Sequence, residues 1–271
     1  MHQRPFRLLV LATEQTSSDT PFIDLCGSRW VLAEYARLAD APAYTCISYS
    51  WGKGRTKNIF EDAQLMSDRT LPAIEATINA WRQPCRLFLN KTVAFRPFIF
   101  KKTEKPISLS TLATLLWKSQ PLAIWVDVLC VPYQDPARSV CLRSMGTIYS
   151  EAARVFAVLS ESCSDILCQI RDTDSIDFTD SPKLSILEAD DWITRIWTYQ
   201  EMANSKSIHF IVQGGGNVSI TGLDFLHAVV MASTDYMREH KIASFQWAIK
   251  YQQFSLWHPA PKIAYRIPIE T

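Results

Sequence analysis

The chain has 271 residues, a formal charge of +1, 48% hydrophobic and 20% charged residues, the composition of an ordinary globular protein with enough apolar surface for a core. Near-zero net charge argues against a nucleic-acid binder that works by neutralising phosphates. No run approaches the ~18 uninterrupted apolar residues of a membrane span.

The N-terminus has a basic start and a short apolar run, Leu8 to Ala12, which suits a strand over Arg7 to Leu11 better than a signal-peptide core. Pro21 to Leu38 mixes turn residues with a short helical pattern. From Tyr44 to Ser50, apolar and hydroxylic residues alternate, which predicts a strand closed by the turn Trp51-Gly52-Lys53-Gly54. Ile74, Ile78 and Trp81 make one apolar face of a helix over Leu71 to Trp81, with Pro72 in its first turn. Arg86 to Lys91 reads as a short strand, Val93 to Lys105 as an irregular aromatic and basic loop, and Ser108 to Lys118 as a serine-capped helix.

Leu122 to Val131 is almost unbroken apolar sequence holding one carboxylate, Asp127, and suits a central strand covered on both faces. Asp135-Pro136 then opens a helix whose stripe is Leu142, Met145, Ile148, Tyr149 and Ala152. Arg154 to Leu159 is a strand, and Ser160 to Pro182 a polar, acidic loop. Asp190 or Asp191 caps a helix running through Ala203. Ser207 to Val212 is a strand before Gly214-Gly215-Gly216. Leu223 to about Tyr251 is helical, and a proline-containing tail follows. Strands alternating with helices predict an α/β fold with a mainly parallel, twisted sheet and helices on both faces. Residues 1–220 form the expected domain, and residues 221–271 a C-terminal helical extension and tail.

Seven scattered cysteines (26, 46, 85, 130, 141, 163 and 168) fit a reduced, cytoplasmic protein better than a disulfide framework. No spacing suits a metal site. Cys130 has no histidine in its motif and reads as a core thiol. Gly52-Lys53-Gly54-Arg55 lacks the Walker spacing, but offers backbone amides and two cations to an anion, with a plain exposed turn as the alternative.

Three blocks carry a family resemblance. The first is Y-T-C-I-S-Y-S-W-G, Tyr44 to Gly52. The second joins W-V-D-V-L-C, Trp125 to Cys130, to M-G-T-I-Y-S-E-A, Met145 to Ala152. The third is R-I-W-T-Y-Q-E, Arg195 to Glu201. In order and spacing they resemble the heterokaryon-incompatibility (HET) domain of filamentous fungi. Two departures stand out. Val131-Pro132-Tyr133 replaces the family's I-N-Q, and Ala137 and Cys141 stand where a glutamate and a glutamine are usual. The resemblance implies a flavodoxin-like sheet similar to that of TIR domains and a role in non-self recognition and programmed cell death. Some TIR domains cleave NAD; others only assemble.

Two mechanisms follow. One is a self-associating signalling module, partnered by itself or another incompatibility protein, that needs no cofactor. The other is a TIR-like NAD glycohydrolase, with NAD as substrate, Glu201 as the catalytic carboxylate and Asp127 beside it. Ser50, Trp51, Gly52, Trp197 and Gln200 would line the ligand site. An accessory role in a fungal biosynthetic pathway is a weaker third. For Asp127 the alternative is a structural cap or ion pair, and for Glu201 a structural ion pair. Arg195 falls on the opposite helix face if the helix runs regularly through it. Convergence of Ser50, Trp51, Asp127 and Glu201 on one cleft would favour the enzyme.

Overall fold

A computed structural model describes residues 6–61, 64–82, 122–177, 182–214 and 218–240. The expected strand at 86–91, the loop at 93–105, the helix at 108–118 and the C-terminal tail lie outside them.

Among the described residues ten strands form, eight of them in one sheet: β1 (Phe6–Leu11), β2 (Phe22–Leu25), β3 (Ser28–Tyr35), β4 (Thr45–Tyr49), β7 (Ala123–Trp125), β8 (Arg154–Leu159), β9 (Ile208–Val212) and β10 (Ser219–Thr221), in spatial order β10-β9-β8-β4-β7-β1-β3-β2. A separate ribbon pairs β5 (Arg55–Lys57) with β6 (Leu65–Ser67).

The sheet is mixed. Its centre, β7-β4-β8-β9, is parallel, and antiparallel strands flank it on both sides. The expected parallel pairing therefore holds for the centre alone. All residues of β4, β7 and β9, and five of six in β8, are buried. That is the consequence of covering a parallel sheet on both faces, and it is why these segments read as apolar runs.

Strand alternation shows the two covered faces directly. Tyr44 and Cys46 reach the carbonyl of Ile148 in one helix, whereas Tyr49 meets Thr70 of another. The helices are α1 (Thr70–Arg82), α2 (Asp127–Cys130), α3 (Ala137–Arg143), α4 (Met145–Glu151), α5 (Ser164–Thr173), α6 (Lys183–Ala189), α7 (Asp191–Thr194), α8 (Ile196–Asn204) and α9 (Gly222–His240). The N-cap position of α3 is Pro136 rather than the expected aspartate, and Asp135 Oδ1 instead accepts from the Ser139 amide at 3.1 Å.

Five expectations are corrected. The stretch expected as a loop over 160–182 contains α5 (Ser164–Thr173), whose Ile166, Leu167 and Ile170 recur at helical spacing and are buried beneath its polar, acidic face. Residues 22–35 form a β-hairpin, not a turn with a short helix. Its tight turn rests on Cys26 and Gly27 at φ 51° and 71°, the left-handed pair that matches strand twist. The apolar run 122–131 is a three-residue strand followed by a one-turn helix beginning at Asp127. The helix after Pro136 is broken at Ser144, which leaves Leu142 exposed while Ile148 and Tyr149 remain buried. The helix expected from Asp190 to Ala203 breaks at Arg195, whose backbone is extended.

From β4 the chain moves first to β7 on one side and then to β8 and β9 on the other. Winding thus reverses beside the carboxyl end of β4. At such a point the loops diverge and leave a crevice.

Candidate functional site

The carboxyl end of β4 delivers Ser48, Tyr49, Ser50 and Trp51; the end of β7 delivers Asp127; α7 and α8 add Trp192, Arg195 and Glu201. Trp51 Nε1 donates to Asp127 Oδ2 at 3.1 Å, and the Val128 amide donates to Asp127 Oδ1 at 2.7 Å. Ser48 Oγ donates to Glu201 Oε2 in a short contact, and Trp192 Nε1 donates to Ser48 Oγ at 2.7 Å. Glu201 lies close enough to Asp127 to feel its charge, and both carboxyl groups feel that of Arg195.

Electrostatics separates this pair from ordinary surface acids. Burial pushes Glu201 up to about 7, and the charge of Asp127 acts in the same direction; hydrogen bonds from Ser48 and Tyr149 and the charge of Arg195 hold it down. Burial also raises Asp127, opposed by the Val128 amide, the Trp51 indole, Arg195 and Tyr49. As whole residues, both are half-buried. Near neutral pH, Glu201 therefore exchanges a proton while retaining access to solvent.

Of the residues expected to form a site, Trp51, Asp127 and Glu201 converge. Ser50 is buried just beyond the end of β4. Gly52 is adjacent, but its amide donates to Ser67 Oγ at 3.1 Å. Gln200 is exposed, since one residue along a helix turns the side chain by about 100°. Trp197 belongs to α8, and its side chain lies outside the described residues.

The glycine loop is not an anion cradle. Arg55 Nη1 is spent on the carbonyls of Gly52 and Gly54, at 2.6 and 2.8 Å. The Asp68 carboxylate packs onto the loop so closely that a Cβ on Gly54 would lie 2.0 Å from Asp68 Oδ2. An incoming anion would meet that negative charge. Cys130 is buried, and burial pushes its thiol up to about 12, which makes it inert as a nucleophile. Among the described residues no cluster of His, Cys, Asp and Glu could hold a metal ion, and no helix is long and apolar enough to cross a membrane.

Sequence reasoning missed Ser48, Trp192 and Arg195. Ser48 has the same strand parity as Ser50, so alternation alone put both on one face; two residues nearer the core is where Glu201 arrives. Arg195 joins because the helix is interrupted: Thr198 Oγ1 donates to the carbonyls of Trp192 and Arg195, both at 2.7 Å, satisfying groups freed by the break. The R-I-W-T run signals that break only if the threonine is read as a helix-start residue.

A family model described as heterokaryon incompatibility protein (HET) matches residues 44–201, a span that opens at the strand carrying Ser48 and closes on Glu201. No curated protein and no solved structure matches the chain.

Proposed function

The chain belongs to the heterokaryon incompatibility protein (HET) family, and from that premise we propose that it serves non-self recognition and cell-death signalling by hydrolysing the N-glycosidic bond of a nucleotide of the NAD class. The observation that carries this reading is the pairing of Glu201 with Asp127 beside the point where winding reverses. The parallel strands run β7-β4-β8-β9, which in chain order is 2-1-3-4, as in flavodoxin-like and TIR-like sheets. In open α/β sheets, ligands bind outside the carboxyl ends of the strands at such a switch point.

In the proposed reaction the bond from ribose C1′ to the nicotinamide nitrogen breaks, and its electron pair leaves with neutral nicotinamide. The ionised Glu201 carboxylate stabilises the positive charge developing at C1′. Water adds to C1′, and Asp127 accepts the proton that water loses. Nicotinamide, ADP-ribose and one proton result. Trp51, half-buried and held by its bond to Asp127, offers a ring for stacking on the base. Because the ionised form of Glu201 acts, kcat/KM should rise with pH through about 7 in the free protein. Incubation with NAD should release nicotinamide, and Glu201→Gln should abolish release. Absence of release at every protein concentration, or full release by the variant, would overturn the proposal.

A second reading, a module that acts by self-association, is favoured by one observation. Helix α3 buries none of its residues, and Val140 and Leu142 are exposed. Sedimentation of the parent and of Leu142→Glu discriminates: association that the charge abolishes supports this reading, and a monomer at all concentrations removes it.

A further inference from the structure

The glutamate does not stand alone. Trp192, Ser48 and Glu201 form a chain of three hydrogen-bonding groups drawn from α7, β4 and α8, and its first member has only one role available. An indole N–H is a donor and never an acceptor. Its bond to Ser48 Oγ therefore occupies a lone pair of that hydroxyl. Among the described residues, Glu201 Oε2 is the acceptor in hydrogen-bond contact with the Ser48 proton. A buried hydroxyl that has already accepted once is best satisfied by donating its own proton. The chain thus has a fixed polarity, from indole to hydroxyl to carboxyl, and each bond strengthens the next.

The indole is itself clamped. Buried Asp190 accepts from the Trp192 amide at 2.8 Å through Oδ1; through Oδ2 it accepts from the Ser160 amide at 2.8 Å and the Ser160 hydroxyl at 2.5 Å. The Trp192 ring meets Phe210 of β9 edge-on, at 5.1 Å and 85°. The end of β8, β9 and α7 therefore all hold the donor in place.

We propose that Ser48 and Trp192 are positioning residues: they hold Glu201 Oε2 as a permanent acceptor and leave Oε1 as the oxygen that carries and releases the proton and faces the reacting carbon. The inference rests on the reading of Glu201 as the catalytic carboxylate. Its consequence is that the ionised form of Glu201 is favoured by a donor that cannot reverse. Besides Ser48, Glu201 faces Cys46 from β4, Asp127 from α2, Tyr149 from α4 and Arg195 from the start of its own helix. None of these changes in the variants below.

The test is a carbon-13 carboxyl NMR titration of Glu201 in the full chain, for the parent, Ser48→Ala and Trp192→Phe, with nicotinamide release measured on the same samples. Ser48→Ala removes a charge-assisted bond, so the midpoint should rise by about 1 pH unit, and the pH limb of kcat/KM should follow it. Trp192→Phe keeps a ring beside Phe210 and frees the Ser48 hydroxyl to rotate; its midpoint should rise by a few tenths of a pH unit. If Trp192 only packs, Trp192→Phe leaves the midpoint unchanged, and that result overturns the relay. An unmoved midpoint in Ser48→Ala overturns it as well, and either variant suffices should the other fail to fold. Shifted midpoints without any nicotinamide release would sustain the relay and sink the NAD reading, so the two failures are distinguishable.

Discussion

Replacing Glu201 by glutamine should stabilise the protein in alkaline solution. Burial lifts the Glu201 carboxyl from the usual 4.5 to about 7. Between those values the folded protein keeps a proton that the unfolded chain has released. Stability therefore falls as pH rises across that window and levels off above it. Two and a half pH units at about 1.4 kcal/mol each is about 3–4 kcal/mol. Glutamine carries no charge to desolvate and retains an oxygen for Ser48. The advantage of Glu201→Gln over the parent should therefore grow by about 3 kcal/mol between pH 4.5 and pH 8, a little under the full value because the unfolded chain is already half ionised at pH 4.5. Urea unfolding followed by tryptophan fluorescence at a series of pH values measures this difference. A gap between variant and parent that stays flat within about 0.5 kcal/mol across the series would refute the placement of Glu201 in a desolvating pocket.

The remaining expectations follow from neighbouring contacts. Asp127→Asn should cut nicotinamide release by on the order of 100-fold and lower the Glu201 midpoint, because a charge that raises it is gone; a steady-state assay and the NMR titration report the two effects. Gly54→Ala should cost about 1–3 kcal/mol, because its Cβ meets the Asp68 carboxylate at 2.0 Å. Adding Asp68→Ala should restore much of that loss in a double-mutant cycle. Asp190→Ala strips the acceptor from four hydrogen bonds at a buried position, one of them a weak bond from the Cys163 thiol, and should lower unfolding stability by about 3 kcal/mol, read by thermal or urea denaturation.

The sequence revealed those parts of the fold whose burial pattern repeats along the chain. β4, β8 and β9 are covered on both faces, so their residues had to be apolar or small and read as strands. The β2–β3 hairpin was hidden because β3 mixes buried and exposed residues without strict alternation and turns on a cysteine in the left-handed region. The run 122–131 looked uniform because a strand end and a one-turn helix are equally buried, and apolarity does not record which backbone conformation is hidden. Asp127 was legible as a carboxylate within an apolar run, which is costly unless partnered, and Glu201 as the acidic end of the third family block. Ser48 and Arg195 were not. Selecting Ser48 over Ser50 needed the height at which α8 crosses β4, and placing Arg195 needed the helix break that follows it.

The proposed chemistry requires three distant segments to meet at one ligand site. A crystal structure of the Glu201→Gln variant with NAD tests this most directly. Density for the nucleotide against Trp51 and Asp127, with ribose C1′ beside residue 201, is the expected result. A nucleotide bound elsewhere, or an edge of β4 closed over by other side chains with no nucleotide present, would contradict it.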